Sequence, residues 1–161
     1  MRSGRAAVLP LAAAAAIALV TALAAQAARP VSKSQYEAML AKANSEATKA
    51  ETSIQQALTS SSVTVADLKA RGLALAATLA KFGNQFASVT PPDAAARKAN
   101  ALLVRGERHF AVEVRALIQR LPRTKSAAAA YIFKLVSQPP KGVAEIERAL
   151  AQLKAAGYRT P

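Results

Sequence analysis

The residues with the clearest chemical use are seven cations: Arg97, Lys98, Arg105, Arg108, Arg115, Arg120 and Arg123. A guanidinium is a planar fork that grips phosphate or carboxylate through two parallel hydrogen bonds, so a row of them suits an anionic surface. Spacing makes these residues a row. At about 100° per residue, with Arg97 at zero, Arg115 falls at about 0°, Arg108 at about 20°, and Arg105 and Arg123 at about 80°. Lys98 follows at about 100° and Arg120 at about 140°, whereas the apolar seam of the segment lies between about 180° and 260°. One arc is therefore cationic and the opposite one apolar. Only Glu107 and Glu113 counter the cations, and the spacing puts both at the margins of the arc. An ordinary solvated face mixes signs, as the first helical segment does with Lys33, Glu37, Lys42, Glu46, Lys49 and Glu51. The competing reading is plain solvation, because arginine is a good helix former and an exposed helix needs polar cover.

Other chemistry is sparse. The single histidine, His109, projects onto the cationic arc beside Arg105 with Glu113 one turn on, which predicts a surface His–Glu pair. With one histidine and no cysteine, a His/Cys metal site cannot be assembled, and the Glu-x-x-His pairs of di-iron bundles are missing. Gly-x-Ser-x-Gly, P-loop and dinucleotide fingerprints are also missing. The nine acidic residues are scattered, and no pair falls where burial would tune one as a proton donor. Met39 and His109 are the only obvious haem ligands, but on parallel helices they stand about 9 Å and about 27 Å along their axes, too far apart in height. The expectation is a non-enzymatic protein with no metal or cofactor.

The N-terminal segment sets the compartment. Arg2 and Arg5 precede an uncharged Ala/Leu/Val/Ile run from Ala6 to Ala25, followed by Ala25-Gln26-Ala27 with small residues where a signal peptidase reads. Residues 1–27 thus read as a secretory signal peptide. If uncleaved, the run would anchor the chain, since about 20 apolar residues span a bilayer. From Ala28 onward 20 basic residues face nine acidic ones, a formal +11 over 134 residues, which fits one domain. Such an excess favours anionic partners outside the membrane, such as phospholipid head groups, wall polymers or acidic proteins, and export argues against nucleic acid.

Helices account for the whole of 28–161. Ser32-Lys33-Ser34-Gln35 has the form of a capping box, and Tyr36, Leu40, Ala43, Ala47, Ala50, Ile54 and Ala57 then recur in steps of four and three. Thr59-Ser60-Ser61-Ser62 ends that helix. A second begins at Thr64 with Asp67 as its capping partner, and its seam is Val65, Leu68, Gly72, Leu75, Leu79, Phe82, Phe86 and Val89. Gly72 on that seam suggests a close neighbour. Thr90-Pro91-Pro92-Asp93 predicts a third helix capped by Thr90, with proline first and a carboxylate in the first turn, running to about Leu121. Its seam is Ala96, Ala99, Leu103, Gly106, Phe110, Val114, Leu117 and Leu121. A short helix over 127–136 is interrupted at Pro139-Pro140, and a last one carries Val143, Ile146, Leu150 and Leu153 to a Gly157-Tyr158 close of Schellman form. No run alternates with period two, so no strand is expected.

These elements predict an all-α fold, an antiparallel up-down bundle of about four helices with the last one broken at Pro139-Pro140. The Ser-Lys-Ser-Gln-Tyr start after the signal, Pro-Pro opening a helix with Leu102-Leu103-Val104-Arg105-Gly106, and the Gly157-Tyr158 ending together resemble a loose group of uncharacterised, alanine-rich secreted proteins of high-GC Gram-positive bacteria. The resemblance implies a helical bundle at the cell envelope and carries over no functional residues. The expected function is binding of an anionic envelope component, phospholipid or wall polymer, through the cationic helix face. The alternative is a partner-binding or self-assembling bundle whose seams extend to another chain.

Overall fold

A computed structural model describes residues 28–136 and 138–161. The expected signal peptide, residues 1–27, lies outside the described residues. The chain is an all-α bundle with five helices and one very short parallel pairing among the described residues.

Local chemistry sets most helix ends. Helix α1, Lys33–Thr59, opens on the expected capping box: the Ser32 side chain accepts from the Gln35 N–H while the Gln35 side chain accepts from the Ser32 N–H. Helix α2, Val65–Ala87, repeats the device with Thr64 and Asp67. Each box satisfies two of the N–H groups that a helix start leaves without partners.

Helix α3, Ala94–Gln119, begins later than its sequence suggests. Its N-cap is Asp93, whose carboxylate accepts from Ala96 N–H at 2.8 Å. Thr90 lies outside the helix because Val89–Thr90 forms a two-residue strand, β2, parallel to β1 at Arg29–Pro30. The expectation of no strand is corrected to that extent. The pairing extends to Val31 N–H, which donates to Thr90 O, and buries Val31 and Val89.

Helix α4, Lys125–Val136, and helix α5, Lys141–Ala155, are the two halves of the broken last helix. The α5 C-terminus is a Schellman motif: Tyr158 N–H donates to Leu153 O, Gly157 N–H donates to Lys154 O, and Gly157 has φ of +78°. Glycine takes that left-handed conformation without a Cβ penalty.

Helices α1, α2 and α3 alternate in direction, and α5 runs back along α3. Two apolar clusters fill the interior. One joins Tyr36, Leu40, Phe82, Phe86, Leu103, Leu153 and Tyr158; the other joins Leu68, Leu75, Leu79, Ala111, Ile118 and Ala128. The break at the prolines lets α5 cover the first cluster and α4 contribute Ala128 to the second.

Small residues set the closest crossings. A Cβ on Gly106 would stand 2.8 Å from Ile146 Cγ1 and 2.9 Å from Ile146 N, and a Cβ on Gly142 would overlap the backbone of Phe110. Helices α3 and α5 therefore touch backbone to backbone there. Gly72 meets the Ile118 side chain of α3, which is the close neighbour its seam position implied.

Tyr36 is the polar pin of the first cluster. It is fully buried, donates its hydroxyl to Asn100 Oδ1 at 2.8 Å, and Asn100 Nδ2 donates on to Phe86 O at 2.9 Å. One chain of hydrogen bonds thereby ties α1, α3 and the end of α2 together, with each of these buried polar groups given a partner. Edge-to-face contacts of Tyr36 with Phe86 and Tyr158 surround it.

Candidate anion-binding face

Helix α3 is flanked by α2 on one side and α5 on the other, so its outward strip is bounded by those two neighbours. All seven predicted cations lie on the surface. Arg97, Lys98, Arg105, Arg108 and Arg115 project from α3 itself, and the first to the last span about 27 Å at 1.5 Å per residue. Arg120 is the C-cap of α3 and Arg123 sits in the loop beyond, because the helix ends at Gln119. The helical row is therefore five cations, and Arg120 and Arg123 belong to the segment that follows it. Val112, 64% exposed, stands among them on the same strip.

Three of the seven have fixed partners. Arg97 donates to the carbonyls of Pro91 and Pro92 at 3.3 and 3.0 Å, closing the turn that leads into α3. Arg108 donates to Asn84 Oδ1 of α2 at 3.3 Å. Arg105 Nε lies 3.0 Å from Glu145 Oε1 of α5. Lys98, Arg115, Arg120 and Arg123 form no ion pair or side-chain hydrogen bond among the described residues. Only Arg105 is thus neutralised by a carboxylate.

The acidic residues are placed differently from their expected positions. His109 does not pair with Glu113: its Nδ1 lies 2.6 Å from Glu145 Oε2, so one carboxylate bridges Arg105 and His109. Desolvation pushes Glu145 upward, but the His109 hydrogen bond and the charges of His109, Arg105 and Lys141 outweigh it and hold the carboxyl below its ordinary value. Glu113 instead accepts from the N–H groups of Lys141 and Gly142, both at 3.0 Å. It is a cap supplied from another helix, at a start where Pro140 offers no side-chain acceptor.

Glu107 is the larger correction. It is not at the margin of the cationic arc but buried, only 7% exposed, because the α2 backbone at Gly83 packs against its stem. Its Oε2 has no hydrogen-bond partner, and burial alone pushes the carboxyl up to about 7. Burial thus tunes this acid by itself, without a second carboxyl as its cause.

Glu107 lines a cleft of about 160 Å³ between α1, α3 and α5, the side of the bundle remote from the cationic strip. Helices α1 and α5 leave it open because the backbone of α1 closes mainly on α2. The start of α1 is tied to the segment after α5, where Tyr36 meets Tyr158, Lys33 donates to Gly157 O and Arg159 N–H donates to Glu37 Oε1. Glu51 and Glu147 stand on the rim, and desolvation raises the Glu51 carboxyl as well.

Among the described residues, no group of three or more histidine, aspartate and glutamate side chains is placed to hold a metal ion, and no helix is long and apolar enough to cross a membrane. Comparison with family models, with curated proteins and with solved structures gave no match for this chain.

Proposed function

We propose that this is an exported, non-enzymatic bundle that binds an anionic component of the cell envelope, a phospholipid surface or a wall polymer, through the outward strip of α3. The observation that carries the reading is the excess of unneutralised cations on and just beyond one strip: five basic surface side chains along α3, followed by Arg120 and Arg123, with a single paired carboxylate, Glu145. The flanks of the strip are pinned. Arg108 is held toward α2 and Arg105 toward α5, which reduces the side-chain entropy lost when an anion is gripped. Arg115, Lys98, Arg120 and Arg123 supply the free charges. Val112 gives the strip an apolar contact at its centre.

Co-sedimentation of residues 28–161 with anionic vesicles, neutral vesicles and isolated wall, across a salt series, tests the reading. Each Lys or Arg near an anionic membrane contributes about 1 kcal/mol. Reversing Arg105, Arg108 and Arg115 together should therefore weaken binding by roughly two orders of magnitude or more. Undiminished binding by a folded triple variant contradicts it. A second reading, assembly with a protein partner, draws on the 69% exposure of Phe133 on α4. A stable oligomer in sedimentation at low concentration would favour it.

A further inference from the structure

The cleft on the opposite side of the molecule has the chemistry of a cation site inside a cationic protein. Its walls are mostly apolar, with Leu40 from α1, Phe86 from α2, Leu103 from α3, and Ile146 and Leu150 from α5, and Asn44 of α1 is the one neutral polar side chain among them. The one ionisable side chain buried among them is Glu107, with Oε2 unpartnered. A native core rarely leaves such an atom alone, because an unpaired buried acceptor carries its full desolvation cost. A carboxylate there lacks a counter-charge, and no basic residue lines the cleft to supply one. The remaining titratable side chains that line it, Glu51 from α1 and Glu147 from α5, have the same sign, and none comes from α2. The rim therefore carries negative charge on a protein whose net charge is positive.

We infer that this cleft binds a small organic ammonium ion, an apolar body of about six to ten heavy atoms carrying one amine, with the ammonium hydrogen-bonded to Glu107 and the apolar part between α1 and α5. Size follows from the volume, since a cavity of about 150 Å³ accommodates a benzene-sized molecule. The position of the charge follows from Glu107 and its polarity from the three carboxyls. An inorganic cation does not fit as well, because Glu51 and Glu147 stand at the rim, away from the buried Glu107 carboxyl, and among the described residues no group of three acidic or histidine side chains is placed for a metal. The site is independent of the α3 strip, so either can fail without the other.

Binding should couple to a proton. An ammonium needs Glu107 ionised, and the empty site holds it partly protonated near neutral pH. Affinity should rise with pH through about 7, while Glu51 and Glu147 at the rim add a weaker, salt-sensitive attraction.

Calorimetric titration of the purified protein with benzylamine, and with benzyl alcohol as a neutral probe of similar shape, tests the inference. Benzylamine should bind more tightly than benzyl alcohol, and Glu107→Gln should weaken benzylamine by about tenfold or more, the loss expected for a charged hydrogen bond. The same substitution should leave benzyl alcohol within about twofold, which shows that the cleft is intact. Glu147→Gln should weaken benzylamine only at low salt. Equal binding of the two probes, no binding of either, or benzylamine affinity unchanged by Glu107→Gln would overturn it.

Discussion

Glu107 makes the stability of this bundle depend on pH in the direction opposite to that of a salt-bridged carboxylate. Its carboxyl holds its proton up to about 7 in the folded chain, against an ordinary value of 4.5, because it is buried without a partner for the ionised form. Between those values the native state binds more protons than the unfolded state, so stability falls as pH rises through that window. At pH 4.5 and below the penalty is absent; above about 7 it is fully present. At about 1.36 kcal/mol per unit, the shift corresponds to about 3 kcal/mol. Glu107→Gln keeps the shape of the protonated acid and cannot ionise. It should match the wild type near about pH 4.5 and be more stable by about 3 kcal/mol at about pH 8.5. For a domain of this size that difference is a shift in Tm of about 10 °C. Urea denaturation or calorimetry of both proteins across that range measures it. Parallel pH profiles for the wild type and the Glu107→Gln variant would show that Glu107 does not set this pH dependence.

Two other substitutions probe the packing. Gly142→Ala places a methyl against the Phe110 backbone, where no side chain can move aside, and should cost about 1–3 kcal/mol in urea denaturation as α5 is pushed off α3. Tyr36→Phe removes the buried donor to Asn100 and leaves Oδ1 unpaired in the core; the expected loss is about 1–3 kcal/mol by the same measurement, with the helical circular dichroism unchanged.

The parts of the fold that were legible in the sequence are those set by neighbouring residues. Both capping boxes, the break at Pro139-Pro140 and the Gly157-Tyr158 close depend on spacings of a few residues, and each forms as its spacing implies. The start of α3 does not. Thr90 and Pro91 carry a strong local cap signal, but Thr90 is drawn into extended backbone by pairing with Pro30, a partner about 60 residues away that periodicity cannot reveal.

The site divides in the same way. The cationic arc followed from angular spacing, and its members all lie on the surface. Glu145 was not legible as the partner of His109, since the two stand 36 residues apart and Glu113 offered a tempting one-turn spacing. That glutamate is taken by the α5 start. For Glu107 a signal did exist. Leu103 and Ala111 stand one turn to either side of it on buried positions, so its face is shared with the apolar seam. The missing knowledge was the position of α2, whose Gly83 closes over the glutamate stem and widens the buried arc past the angle that apolar residues alone define.

Anion binding through α3 is measured by binding of residues 28–161 to anionic vesicles and isolated wall as salt is raised, for wild type and for the variant with Arg105, Arg108 and Arg115 reversed. The α3 strip predicts strong binding at low salt, steep loss as the Debye length falls from about 30 Å at 0.01 M to about 8 Å at 0.15 M, and little binding by the variant at any salt. Binding that is absent at low salt, or that the folded variant retains, would contradict it.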